Sequence, residues 1–146
     1  MGAVESMLRE ARLGLVVMCI LVYSAAFADD LAGRDRFLCS AGTVTAFTED
    51  GYRIKAAPFD FNIPQFVEMD LQARRLSTLQ ASGQDRSTDI KYVERTGGHI
   101  VLQGVEEGRT FSWLIDESMG LVTVAIAVDG FNIAVFGACT PLPVTK

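Results

Sequence analysis

The chain has 146 residues, 49% of them hydrophobic, a formal net charge of −5 and a mean hydropathy of +0.26. The greasiness is uneven: residues 1–28 hold about 20 of the apolar residues, and the rest of the chain is about 44% apolar, an ordinary globular value. A remainder of that size buries one core but not two, its aromatic and β-branched content excludes disorder, and an acidic chain without a basic run argues against nucleic acid or anionic lipid as partners.

The first segment reads as an address. Arg9 and Arg12 precede the apolar run Leu13–Tyr23, which leads into Ser24-Ala-Ala-Phe-Ala28 and then Asp29-Asp30. A basic region, an apolar stretch and a small-x-small site make a secretory signal peptide over residues 1–28, cleaved after Ala28. The run from Leu13 to Ala28 is 16 residues long and contains a serine, short of the roughly 20 residues that span a bilayer, so no stable membrane anchor is expected. Cys19 follows Met18 rather than the small residue that lipid attachment wants. Residues 29–146 are then a single periplasmic or secreted domain with two cysteines, Cys39 and Cys139. In an oxidising compartment that pair reads as one disulfide, and closing a loop of 100 residues stabilises by about 4.7 kcal/mol on chain-entropy reasoning.

Short period-two runs alternate with turn dipeptides, which predicts an all-β fold, an antiparallel barrel or sandwich of about eight strands. The first hairpin turns at Asp50-Gly51, setting Phe47 opposite Ile54 and Glu49 opposite Tyr52; stepping back in twos from Phe47 reaches Cys39. Two extended segments follow, Pro58–Pro64 and Phe66–Ala73, with the prolines marking ends or edges and Val67, Met69 and Leu71 alternating against Glu68 and Asp70. Ser77–Thr88 is the longest polar stretch, a long loop or short helix. Its residues Ser82, Gly83, Gln84, Asp85 and Arg86 form the candidate binding loop, because binding concentrates on loops held by a rigid scaffold. Asp89–Arg95 then pairs with His99–Gly104 across Gly97-Gly98.

The last two hairpins specify each other. A four-residue loop at Glu117–Gly120 pairs Ile115 with Val122, Trp113 with Val124 and Phe111 with Ile126. A type I′ turn at Asp129-Gly130 pairs Val128 with Phe131, Ile126 with Ile133 and Val124 with Val135, all on one face. A one-residue slip would exchange these large residues for the alanines behind them, so the register is well fixed. Reading forward in twos from Phe131 reaches Cys139. Both thiols then point inward, and their bond joins the first and last strands into a closed or nearly closed barrel.

Catalytic constellations are missing from the pattern. His99, the single histidine, abuts the Gly97-Gly98 turn and reads as a surface turn residue, so no histidine cluster can hold a metal. No nucleophile elbow, phosphate-cradling loop or dinucleotide fingerprint occurs. The neighbours Glu106-Glu107 and Asp116-Glu117 point to opposite faces of a strand, Glu68 and Asp70 share a solvated face, and Asp85 with Asp89 is too sparse for calcium. Neither a catalytic residue, a metal nor a cofactor is implied. Trp113 reads as core. The outer face of the last hairpin, where Leu121 and Phe136 flank alanines, is a candidate association face for a partner or an oligomer.

Phe37-Leu-Cys39, Cys139 and Ala81-Ser82-Gly83 together resemble the small periplasmic inhibitors of C-type lysozyme. Those are exported β-barrels with a cysteine in the first and last strands and a Ser-Gly loop that enters the lysozyme cleft. The resemblance implies a protein partner with a basic surface, engaged through Ser82-Gly83. After that dipeptide this chain reads Gln84-Asp85-Arg86 where the family has an aromatic residue two positions on, and it lacks the family's Trp-x-Lys-Gly-like strand. The sequence therefore predicts an exported, non-enzymatic binding protein, with two sharper alternatives: an inhibitor of a lysozyme-like protein, or a carrier of a small apolar ligand inside the barrel. A barrel filled by Phe111, Trp113, Val124, Ile126 and Ile133 would leave the carrier no room.

Overall fold

Alternation of large apolar with small or polar residues, punctuated by glycine turns, yields nine strands: β1 (Arg36–Thr48), β2 (Arg53–Ala56), β3 (Phe66–Asp70), β4 (Arg75–Thr78), β5 (Ser87–Thr96), β6 (His99–Glu106), β7 (Arg109–Asp116), β8 (Leu121–Val128) and β9 (Phe131–Pro141). The computed structural model describes residues 30–143; the expected signal peptide and its cleavage site lie outside them. All pairings are antiparallel. From β3 to β9 each strand pairs with the next, and β9 returns to β1, whose first half also pairs with β3. The result is a closed eight-stranded barrel. β2 stands outside it, extending the second half of β1 through Ala46 opposite Ile54.

The interior holds Phe37, Met69, Ile90, Ile100, Leu102, Ile115, Val124 and Val135. Where β1 begins and β9 ends, the barrel is plugged by Leu31, which is wholly buried and whose N–H donates to the Glu117 carbonyl at 2.7 Å. Burying a leucine completely contributes about 1.5–3 kcal/mol. Arg95 holds this plug segment, reaching the Arg34 carbonyl and the carboxylates of Asp35 and Glu117. Cys39 and Cys139 sit opposite each other, both buried, and are joined by a disulfide of 2.07 Å.

The predicted registers of the β7–β8 and β8–β9 hairpins are those observed, and β5 pairs with β6 across Gly97-Gly98 as expected, with a register shift between Ile90 and Tyr92. The first hairpin differs by one residue. Phe47 lies opposite Arg53, not Ile54, because the loop is Glu49-Asp50-Gly51, three residues with Gly51 in the left-handed region at φ 83°. The Tyr52 N–H caps this loop on Thr48 Oγ1 at 3.1 Å. Phe47 consequently faces outward, 46% exposed, while Val44 and Ala46 face inward. Cys39 nonetheless points inward, because the register shifts between Ala41 and Thr43, a bulge at Gly42 that switches which face of β1 is internal. Gly137 packs against this irregularity, and a Cβ there would overlap the Ser40 carbonyl oxygen.

Two other readings are corrected. Pro58–Phe61 is a 3₁₀ turn, with proline pre-set at its first position and the Asp60 carboxylate accepting from the Ala57 N–H at 2.9 Å. The polar stretch 77–88 is a loop only in its middle: Ser77 and Thr78 belong to β4, Gln80–Ser82 forms a 3₁₀ turn, and Ser87 and Thr88 open β5.

Candidate functional site

Opposite the plugged end, segment 57–65 lies across the barrel as a strap. The Phe61 ring packs on Phe131 with centroids 6.5 Å apart, and Ile63 and Pro64 turn toward the interior. Beneath the strap is a cavity of about 90 Å³ lined by Val67, Leu76, Phe111, Trp113, Val124 and Ile126. Phe111, Trp113 and Ile126 are only half-buried. The Phe111 ring rests against Gly104, where a Cβ would collide with it, so the missing side chain sets how far the ring withdraws from the cavity.

A polar group rims this apolar chamber. Arg86 leads into β5, Thr88 follows on that strand, Glu106 ends β6 and Arg109 opens β7, so the barrel's own closure gathers them at one edge. Thr88 Oγ1 donates to Glu106 Oε1 at 2.8 Å. Glu106 Oε2 lies 3.3 Å from Arg109 Nη2 and 2.9 Å from Arg86 Nη2. Both guanidiniums also hold the strap: Arg109 Nη1 donates to the Phe61 carbonyl at 3.1 Å, and Arg86 Nη1 donates to the Asn62 carbonyl at 2.9 Å and to Asn62 Oδ1 at 3.3 Å. The side chains of Arg86, Glu106 and Arg109 are 20%, 26% and 14% exposed.

Two half-buried cations thus share one half-buried anion. Glu107 comes within 3.8 Å of Arg109, but its carboxylate is 67% exposed, and water screens such a pair to little effect. Arg86 Nη2 is a buried nitrogen with no hydrogen-bond partner, and its approach to Glu106 is a charge contact without hydrogen-bonding geometry.

The predicted binding loop divides. Ser82, Gly83, Gln84 and Asp85 are exposed on the rim, with Gly83 in the left-handed region at φ 69° and Ser82 Oγ donating to the Leu79 carbonyl at 2.6 Å. Arg86 alone turns into the mouth. Asn62, Thr88, Glu106 and Arg109 escaped sequence reasoning as a site; the local hint was the Glu106-Glu107-Gly108-Arg109 turn, which places a carboxylate and a guanidinium three residues apart. Leu121 and Phe136 lie elsewhere, on the outer wall, both about half exposed, with exposed Leu114 next to them around Thr123.

Two of the remaining acidic candidates, Asp70 and Asp116, have structural partners. Asp70 pairs with Arg36 at 3.7 Å and accepts from the Ala73 N–H at 2.8 Å. Asp116 caps the 117–120 turn: hydrogen bonds from the Ser118 hydroxyl and the Met119 N–H, with His99 Nε2 4.0 Å away, hold its carboxyl below the ordinary range. His99 Nδ1 is 3.0 Å from the Gly97 carbonyl, within its own turn. Among the described residues no group of three or more His, Cys, Asp or Glu is placed to hold a metal, and no helix is long and apolar enough to cross a membrane. No family model matches the chain, and no curated protein matches it in sequence.

Proposed function

We propose that the protein is an exported, non-enzymatic binding protein that takes a small, largely apolar molecule into the barrel beneath the 57–65 strap. The observation that carries this reading is the cavity. Ile133 is buried in the barrel, but Phe111, Trp113, Val124 and Ile126 line open space instead of closing it. A concave apolar site with a few convergent polar groups is the usual form of a small-molecule pocket. At about 90 Å³ it is smaller than the roughly 150 Å³ cavity that admits benzene, so a ligand of more than a few heavy atoms must raise the strap. At ~0.8 kcal/mol per buried methylene, a five-methylene chain gains about 4 kcal/mol, which is millimolar binding. The buried disulfide favours an oxidising compartment, in keeping with delivery to the periplasm or the exterior.

Trp113 is the sole tryptophan and lines the cavity, so its fluorescence reports occupancy. Titrating residues 29–146 with hexan-1-ol should give a saturable change in emission and a rise in Tm. A linear response with unchanged Tm overturns the reading. The lysozyme-inhibitor alternative is favoured by the exposed Ser82-Gly83 loop on a barrel whose first and last strands carry the bonded cysteines. Full activity of a C-type lysozyme in excess domain removes it.

A further inference from the structure

Resting on that reading, we infer that the ligand is a monocarboxylic acid, its carboxylate seated on Arg86 at the mouth and its apolar tail against Phe111, Trp113 and Ile126. The charge distribution points there first. Arg86 and Arg109 bring two positive charges to the rim against the one withdrawn negative charge of Glu106. The second carboxylate near Arg109, Glu107 at 3.8 Å, is 67% exposed and its charge is screened by water, so the withdrawn part of the rim stays net positive. A single negative charge completes the balance; a dianion would leave an excess beside Glu106.

Hydrogen bonding points to the same atom. Both terminal nitrogens of Arg109 are engaged, one by the Phe61 carbonyl and one by Glu106. Arg86 spends Nη1 on Asn62, while its buried Nη2 has no acceptor in bonding geometry. A guanidinium edge matches a carboxylate in shape and charge, and such bonds are about twice as strong as neutral ones. Immediately inward the lining turns apolar, so a molecule whose head satisfies Arg86 places its tail in the cavity.

Hexanoate and hexan-1-ol have equal chain length and differ in the head, which makes them the test pair for residues 29–146 at pH 7. The acid is expected to bind at least tenfold tighter than the alcohol by Trp113 fluorescence and by calorimetry. Arg86→Gln should bring the acid down to the affinity of the alcohol. Glu106→Gln, which removes the resident anion, should tighten hexanoate further. Equal affinities for acid and alcohol overturn the head-group inference and leave the apolar chamber standing; absence of saturable binding by either overturns both. Should Arg86→Gln fail to fold, the acid-to-alcohol ratio in the parent and in Glu106→Gln decides.

Discussion

At the end of the barrel where β1 begins, Leu31 fills the opening and Arg95 is held by two carboxylates, Asp35 and Glu117; at the other end a strap spans the opening, space remains below it, and Glu106 is held by two guanidiniums. The wall is continuous between them, so the difference lies in what the chain supplies at each rim. One end is filled by its own residues. The other keeps open apolar volume beside a guanidinium nitrogen that lacks an acceptor, which is what a binding site for an amphipathic anion needs.

The largest expected effect strikes the wall that both ends share. Gly137→Ala places a Cβ inside the Ser40 carbonyl, which cannot yield without separating β1 from β9, and should cost about 3–5 kcal/mol in chemical denaturation. Cys39→Ser should cost about 2–5 kcal/mol through loss of the bond to Cys139. Two alkylatable thiols in the intact, non-reduced domain would contradict that bond. The comparison itself is sharpened by a pair of truncations. Leu31→Ala at the plug should cost about 2–4 kcal/mol, whereas Ile126→Ala beside the existing void should cost about 1 kcal/mol, because its side chain already lacks contacts on one side. Equal costs would mean that the mouth is packed as tightly as the plug.

The smallest effect concerns Asp116 near the plug. Its carboxyl is held low by Ser118 and Met119, so its contribution is present above the ordinary carboxylate range and fades as pH falls through its lowered value. Asp116→Asn should therefore lower Tm slightly at neutral pH, and the difference from the parent should vanish in acid.

Much of the barrel was legible because large and small residues contrast along β8 and β9, where Val124, Ile126 and Ile133 alternate with alanines, and because two-residue glycine turns allow one register each. The segment Thr43-Val44-Thr45-Ala46-Phe47 has no such contrast, and Asp50-Gly51 serves a two- or a three-residue loop equally well. The resulting one-residue misreading was cancelled at Cys39 by the bulge at Gly42, an irregularity that no local pattern announces. The rim shows a similar limit. Arg86 lay within the predicted loop, but its meeting with Asn62, Glu106 and Arg109 depends on β5, β6 and β7 lying side by side and on a strap from far upstream. Such convergence is a property of closure, not of spacing.

The strand order also has a consequence in time. From β5 to β9 every pairing joins neighbours in sequence, whereas the β1–β9 rungs join distant residues such as Cys39 and Cys139, separated by 100 positions. Local hairpins form early and distant ones late, so this seam is the slow event in folding. Until it shuts, β1 and β9 each present a free hydrogen-bonding edge, and the partly folded chain is then most open to pairing with another copy of itself.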